Sequence, residues 1–175
     1  WEDARDRVDE LVNFIRTELG FTIDRDLVMK AAVMLTNADI KLQARNFDAS
    51  NVARIRQVWD EIRDALVASF RLIESFGLND ASLRAKNAAL PIAYYLFYKG
   101  RDETTNIRGL GSEINKPIVH DDERRKIRKW LLMSLLRGVF GRSADSLLST
   151  LRRTLREHLS DRDGFPLSTI IKDSR

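Results

Sequence analysis

The sequence predicts an all-α protein: a bundle of about six helices with one long loop and no extended sheet. Apolar residues recur at spacings of three and four over most of the chain, as in helices that bury one face. Only eight glycines and three prolines punctuate the 175 residues, too few for many short strands. Hydrophobic residues make up 43% and charged residues 32%, which is typical of a globular protein. We expect one helical domain spanning residues 1–175.

Three helices are predicted before residue 78. The first ends at Gly20, and its apolar stripe consists of Val8, Leu11, Val12, Ile15 and Leu19. The second begins after Asp24, whose carboxylate can accept free backbone N–H groups of the first turn, and it stops near Asn37. The third ends at Gly77 and carries apolar residues seven apart, which indicates packing along another helix. This seam consists of Val52, Trp59, Leu66 and Ile73.

The fourth helix, residues 90–98, is apolar or aromatic on every side, which indicates a central position. Pro91 suits its first turn, where a missing N–H costs nothing, and Gly100 ends it. Its tyrosines could line a ligand pocket. The simpler interpretation is that they are core residues whose hydroxyls bond to neighbouring groups.

Residues 100–121 have no clear helical period and form the predicted long loop, a kind of segment that is often functional or disordered. Two more helices follow, at about 122–137 and 144–159, with Ser143 placed to cap the second. Residues 164–171 look like the start of another short element.

Basic residues are concentrated in the last third of the chain, although the net charge is only +4. Between positions 124 and 162 they are Arg124, Arg125, Lys126, Arg128, Lys129, Arg137, Arg142, Arg152, Arg153, Arg156 and Arg162. Such a region can meet a phosphate backbone, an acidic partner domain, or only water.

The last predicted helix has a leucine face opposite an arginine edge. The leucines are Leu147, Leu148, Leu151, Leu155 and Leu159, and we expect them to bury against Trp130, Leu131 and Leu135. The candidate DNA-contact residues are then Arg142 at the turn, with Arg152, Arg153 and Arg156 on the helix. Because Asp145 lies near the helix start, where a helix-turn-helix protein reads bases, we expect contacts to phosphate without sequence specificity.

No residues form a recognisable catalytic or metal site. The absence of cysteine excludes thiol chemistry, and the two histidines lie in separate segments. Residues 120–123 could hold a divalent cation, but acids at a helix start are better explained by the helix dipole. Residues 108–112 lack the strand and lysine of a phosphate loop. We therefore predict no enzyme activity, cofactor or metal.

No membrane span or secretion leader is predicted, and we expect a cytoplasmic location. Because the chain starts with Trp1, we expect a fragment of a larger protein.

Several short segments, taken in order, carry a family resemblance. They are residues 20–21 with 25–28, then 58–62, 87–95, 129–132, and 135–138 with 140–145. Together they resemble the helical region of the GmrSD N-terminal-domain family of prokaryotic modification-dependent restriction proteins. In that family a small-residue turn commonly follows the tryptophan helix, and this sequence has Gly141, Ser143 and Asp145 there.

The resemblance implies a place within a larger restriction or phage-defence protein. Members of this family begin with a ParB-like domain carrying a DGQQR-type motif, and many end in an HNH-type nuclease domain. Neither motif occurs here, so the resemblance transfers no catalytic residue. It implies an accessory helical domain whose partners are the ParB-like domain of the same protein and, through the basic helices, DNA. The alternative is a structural or protein-interaction bundle that docks the ParB-like domain or another subunit.

Overall fold

The computed structural model describes residues 2–38, 48–99, 120–141, 144–159 and 164–174. Regular secondary structure in these ranges is entirely helical, with no strand, which confirms the predicted all-α class. The α-helices are α1 (Glu2–Leu19), α2 (Arg25–Leu35), α3 (Ala49–Gln57), α4 (Trp59–Ser75), α5 (Ala89–Lys99), α6 (Asp121–Leu136), α7 (Ala144–Glu157) and α8 (Leu167–Asp173). Short 3-10 turns cover Lys86–Ala88 and Val139–Gly141.

The described part of the chain contains eight α-helices, so the predicted number of about six was slightly too low. One extra helix arises because Val58, with φ −114° and ψ 21°, divides the predicted third helix into α3 and α4. Hydrogen bonds continue across the break: Val58 N–H donates to Arg54 O (3.3 Å), and Ile62 N–H donates to Val58 O (3.0 Å). The apolar seam therefore continues from α3 into α4, and the seven-residue spacing of its members does not reveal the break. The other extra helix is α8.

The ends of α2 agree with the prediction. Asp24 Oδ1 accepts a hydrogen bond from Leu27 N–H at 2.8 Å, which satisfies a free donor of the first turn. Asn37 follows the last turn with φ 60°, a left-handed conformation that asparagine tolerates better than most residues. The predicted loop at 100–121 falls almost entirely outside the described residues.

Helix α5 lies at the centre of the fold, as predicted. Every residue from Ala89 to Phe97 is buried. The helix packs most extensively on α4, and also on α2 and α7. Burial on several sides explains why its sequence has no polar face.

The packing of α7 differs from the prediction. Leu148, Leu151 and Leu155 are buried, whereas Leu147 and Leu159 are half-buried. The helix packs mainly on α5 and α8, not on the Trp130 side of α6. The physical reason is α8, which packs against both α6 and α7.

Buried apolar side chains from all eight helices form one cluster. Among the helices that the structure describes, none has the length and apolar character needed to cross a bilayer.

Candidate nucleic-acid interface

The solvent side of α7 presents two of the predicted DNA-contact residues. Arg153 and Arg156 are exposed, together with Ser146, Ser149 and Glu157. Arg142 lies outside the described residues. The exposed side of this helix is therefore only weakly basic, because Glu157 offsets part of the arginine charge.

Arg152 has a different environment from its neighbours. It is half-buried, and its Nη1 donates to the backbone carbonyl of Ala38 at 2.5 Å. Ala38 lies three residues after Leu35, the last residue of α2, and is therefore close to the C-terminal end of that helix. A cation is favoured there by the negative end of the helix dipole. Arg152 therefore ties α7 to the end of α2, so it is not a free surface cation.

Tyrosines of α5 bond to the same end of α2. Tyr98 OH donates to Leu35 O (2.7 Å), Asn37 Nδ2 donates to Tyr98 OH (2.5 Å), and Tyr94 OH donates to Asn37 Oδ1 (3.2 Å). Burial raises the pKa of Tyr94 to about 12, so this hydroxyl remains protonated at neutral pH. These tyrosines fit the interpretation as core residues bonded to neighbouring groups.

We expect Arg152→Ala to lower the free energy of unfolding by about 1–2 kcal/mol, because it removes a charge-assisted hydrogen bond to the backbone carbonyl of Ala38. The matched surface variant Arg153→Ala should change it by less than about 0.5 kcal/mol. Urea unfolding followed by circular dichroism measures both. Equal effects of the two variants would contradict this role of Arg152. A triple replacement of Arg152, Arg153 and Arg156 by alanine is therefore expected to cost stability through Arg152.

An ion pair with α2 neutralises the acidic residue in the first turn of α7. Lys30 Nζ lies 2.8 Å from Asp145 Oδ1, and both side chains are partly buried. Asp145, which lies where a helix-turn-helix protein would read bases, is therefore paired within the fold. Both side chains are engaged with each other, so neither is a good candidate for reading a base edge.

The larger cluster of cations belongs to α6. Residues 124–129 hold five cations in six positions, and Arg125, Arg128 and Lys129 are exposed. Asp122 lies 2.7 Å from Lys126 and 3.6 Å from Arg125. The hydrogen bond from Lys126 holds the pKa of Asp122 below its usual value. These cations lie in the predicted basic region but are not among the predicted contact residues. The run of five cations at residues 124–129 is the sequence feature that could have identified them as candidate contact residues.

The acids at the start of α6 have two different roles. Asp121 and Asp122 are exposed in the first turn, consistent with the helix-dipole interpretation. Glu123 is only 5% exposed; it accepts a hydrogen bond from Tyr95 OH at 2.8 Å and forms an ion pair with Lys99. Burial lowers the pKa of Lys99 and raises that of Tyr95. Within the described ranges, no three histidine or acidic side chains are grouped as metal ligands.

Comparison of the chain with models of protein families finds no match, and comparison with curated proteins finds none either. The resemblance to the GmrSD N-terminal-domain family thus rests on the segments quoted above.

Proposed function

We propose that this chain is a non-catalytic helical domain of a GmrSD-like restriction or phage-defence protein, and that it contacts DNA phosphates through exposed cations of α6 and α7. The observation that carries the proposal is the set of exposed cations on α6 and α7 that have no carboxylate at ion-pair distance in the described part of the chain. They are Arg128, Lys129, Arg153 and Arg156. The proposal needs no cofactor and places the protein in the cytoplasm.

The proposed contact is to the phosphate backbone and not to base edges. Cations on flexible side chains neutralise phosphates whatever the sequence, and this attraction supplies most non-specific DNA affinity. A helix that reads bases presents hydrogen-bonding side chains from its first turns. Here Asp145 is paired with Lys30, which supports non-specific binding.

Docking to a protein is the second candidate, and Leu136 favours it. This side chain is 87% exposed at the end of α6, seven residues after Lys129 and therefore on the same side of the helix. An exposed leucine beside cations suits a protein surface that is partly apolar and partly acidic. The ParB-like domain of the same protein, or another subunit, would be that partner.

The DNA proposal is tested by the salt dependence of binding. The double variant Arg153→Ala/Arg156→Ala should bind a duplex of arbitrary sequence more weakly, because it removes two phosphate-neutralising cations. Each lost phosphate contact should reduce the slope of log affinity against log salt by about 0.9. Fluorescence anisotropy at several salt concentrations measures both quantities.

The charge-preserving variant Arg153→Lys/Arg156→Lys is the matched control, and it should retain most of the salt slope. If the parent chain has no affinity for DNA at low salt, the DNA proposal is wrong and the docking function replaces it.

A further inference from the structure

A cleft of about 450 Å³ lies between the end of α4 and the first half of α6. The α4 side is formed by Ser75, Phe76 and Gly77. The α6 side is formed by Arg124, Arg125 and Arg128, with Asp121 as the one acidic residue of the lining. Three guanidinium groups against one carboxylate give this cleft an excess positive charge.

The fold holds one of the arginines in position. Arg124 Nη2 donates to the backbone carbonyl of Ser75 at 3.1 Å. Its guanidinium carbon lies 5.3 Å from the centre of the Phe76 ring, a distance at which a cation and an aromatic face attract each other. A guanidinium has five N–H donors, so one bond to a carbonyl leaves others for a ligand. Arg124 is thus preorganised before any ligand binds.

Carboxylates of the fold compete only weakly with a ligand for the other two arginines, Arg125 and Arg128. The carboxylate of Asp122 lies closer to Lys126, at 2.7 Å, than to Arg125, at 3.6 Å. Arg128 follows Arg124 by about one helical turn, is exposed, and forms no ion pair with the residues that the structure describes. Both side chains can therefore turn to a ligand without breaking a close ion pair.

The opposite wall leaves room for a ligand. Gly77 has φ +83°, a conformation that favours glycine, and a Cβ built there would meet no atom within 4 Å. At Gly77 the wall of the cleft is therefore backbone only, and no side chain fills the space in front of it.

We propose that this cleft binds a phosphate group through Arg124, Arg125 and Arg128. The planar fork of a guanidinium matches two oxygens of a phosphate, and several such forks suit an anion of charge about −2. The phosphate belongs either to a DNA backbone or to a free phosphorylated small molecule. The site shares Arg128 with the DNA contact proposed above, but its affinity for inorganic phosphate is measured without DNA, so this site and the proposed function can fail independently.

The test uses inorganic phosphate as the probe and the backbone amide resonances of the 175-residue chain as the readout. Phosphate should produce saturable shifts at residues 75–77 and 124–128. Arg128→Ala should weaken the apparent affinity about fivefold, since it removes a charge-assisted contact at an exposed site. The matched control Lys129→Ala, an exposed cation on the same helix that does not line the cleft, should change it less than about twofold.

Shifts that do not saturate, or that sodium chloride at equal ionic strength reproduces, would overturn the proposal. Equal losses in the Arg128 and Lys129 variants would also overturn it, because general screening does not distinguish the two positions. Duplex DNA then identifies the source of the phosphate. A parallel loss of DNA affinity in Arg125→Ala/Arg128→Ala indicates a backbone phosphate. Loss of inorganic phosphate binding with unchanged DNA affinity indicates a free phosphorylated ligand.

Discussion

Replacing Trp130 with alanine is expected to lower the free energy of unfolding by about 3–5 kcal/mol. The indole is fully buried on α6, with its ring centre 6.4 Å from that of Phe140 and 5.9 Å from that of Phe165. Its Nε1–H donates to Ser174 Oγ at 3.1 Å. Truncation leaves a cavity where the 3-10 turn and α8 meet α6, and it removes the donor to Ser174. A loss of this size is a large part of the stability of an ordinary domain.

Two controls separate the causes of this loss. Trp130→Phe keeps an aromatic ring but removes the N–H donor, and should cost about 1–2 kcal/mol. Lys129→Ala, one residue away on the exposed side, should change stability by less than about 0.5 kcal/mol. Urea unfolding monitored at 222 nm measures all three variants. A loss below about 1 kcal/mol for Trp130→Ala would show that this indole does not join α6 to α8 as described.

Replacing Gly164 with alanine should destabilise the protein by about 2–5 kcal/mol. Gly164 has φ +71°, which costs an alanine about 1–2 kcal/mol. The new Cβ would also lie 2.2 Å from Glu123 Oε1 and 2.7 Å from Glu123 Cγ. Glu123 has little freedom to move away, because it is buried and bound to Tyr95 and Lys99. The overlap therefore adds a further cost of about 1–3 kcal/mol.

Gly20→Ala is the matched control for this prediction. Its φ of +69° is nearly the same, but a Cβ there meets nothing within 4 Å. It should therefore show the backbone cost alone. If thermal and urea unfolding give the same loss for both variants, Glu123 yields to the new methyl group and the close approach between Gly164 and α6 has no energetic consequence.

Local features that act within one helix could be predicted from the sequence. The Asp24 cap, the stop at Asn37 and the all-round apolar character of α5 involve neighbouring residues or simple periodicity, and all three agree with the structure. The break at Val58 could not be predicted, because a change of backbone angle at one residue leaves the apolar seam unchanged.

The candidate interface was predictable in composition but not in detail. A basic last third was evident, and Arg153 and Arg156 do lie at the surface. Arg152 instead bonds to the backbone carbonyl of Ala38, just after α2 and 114 residues earlier in the chain. The spacing of residues along the sequence cannot predict this hydrogen bond, because the bond depends on which helices pack together.

The helical class, the central helix and the concentration of cations after residue 120 could be predicted from the amino-acid order alone. These follow from propensity, periodicity and charge, which act over a few residues. Which charged side chains remain unpaired depends instead on how the helices pack together. Glu123 is buried and forms an ion pair with Lys99, and Lys30 forms an ion pair with Asp145. The packing of α8 against both α6 and α7 also gave α7 a partner that was not predicted. The physical reason is that desolvation and ion pairing depend on neighbours that folding brings together from distant parts of the chain.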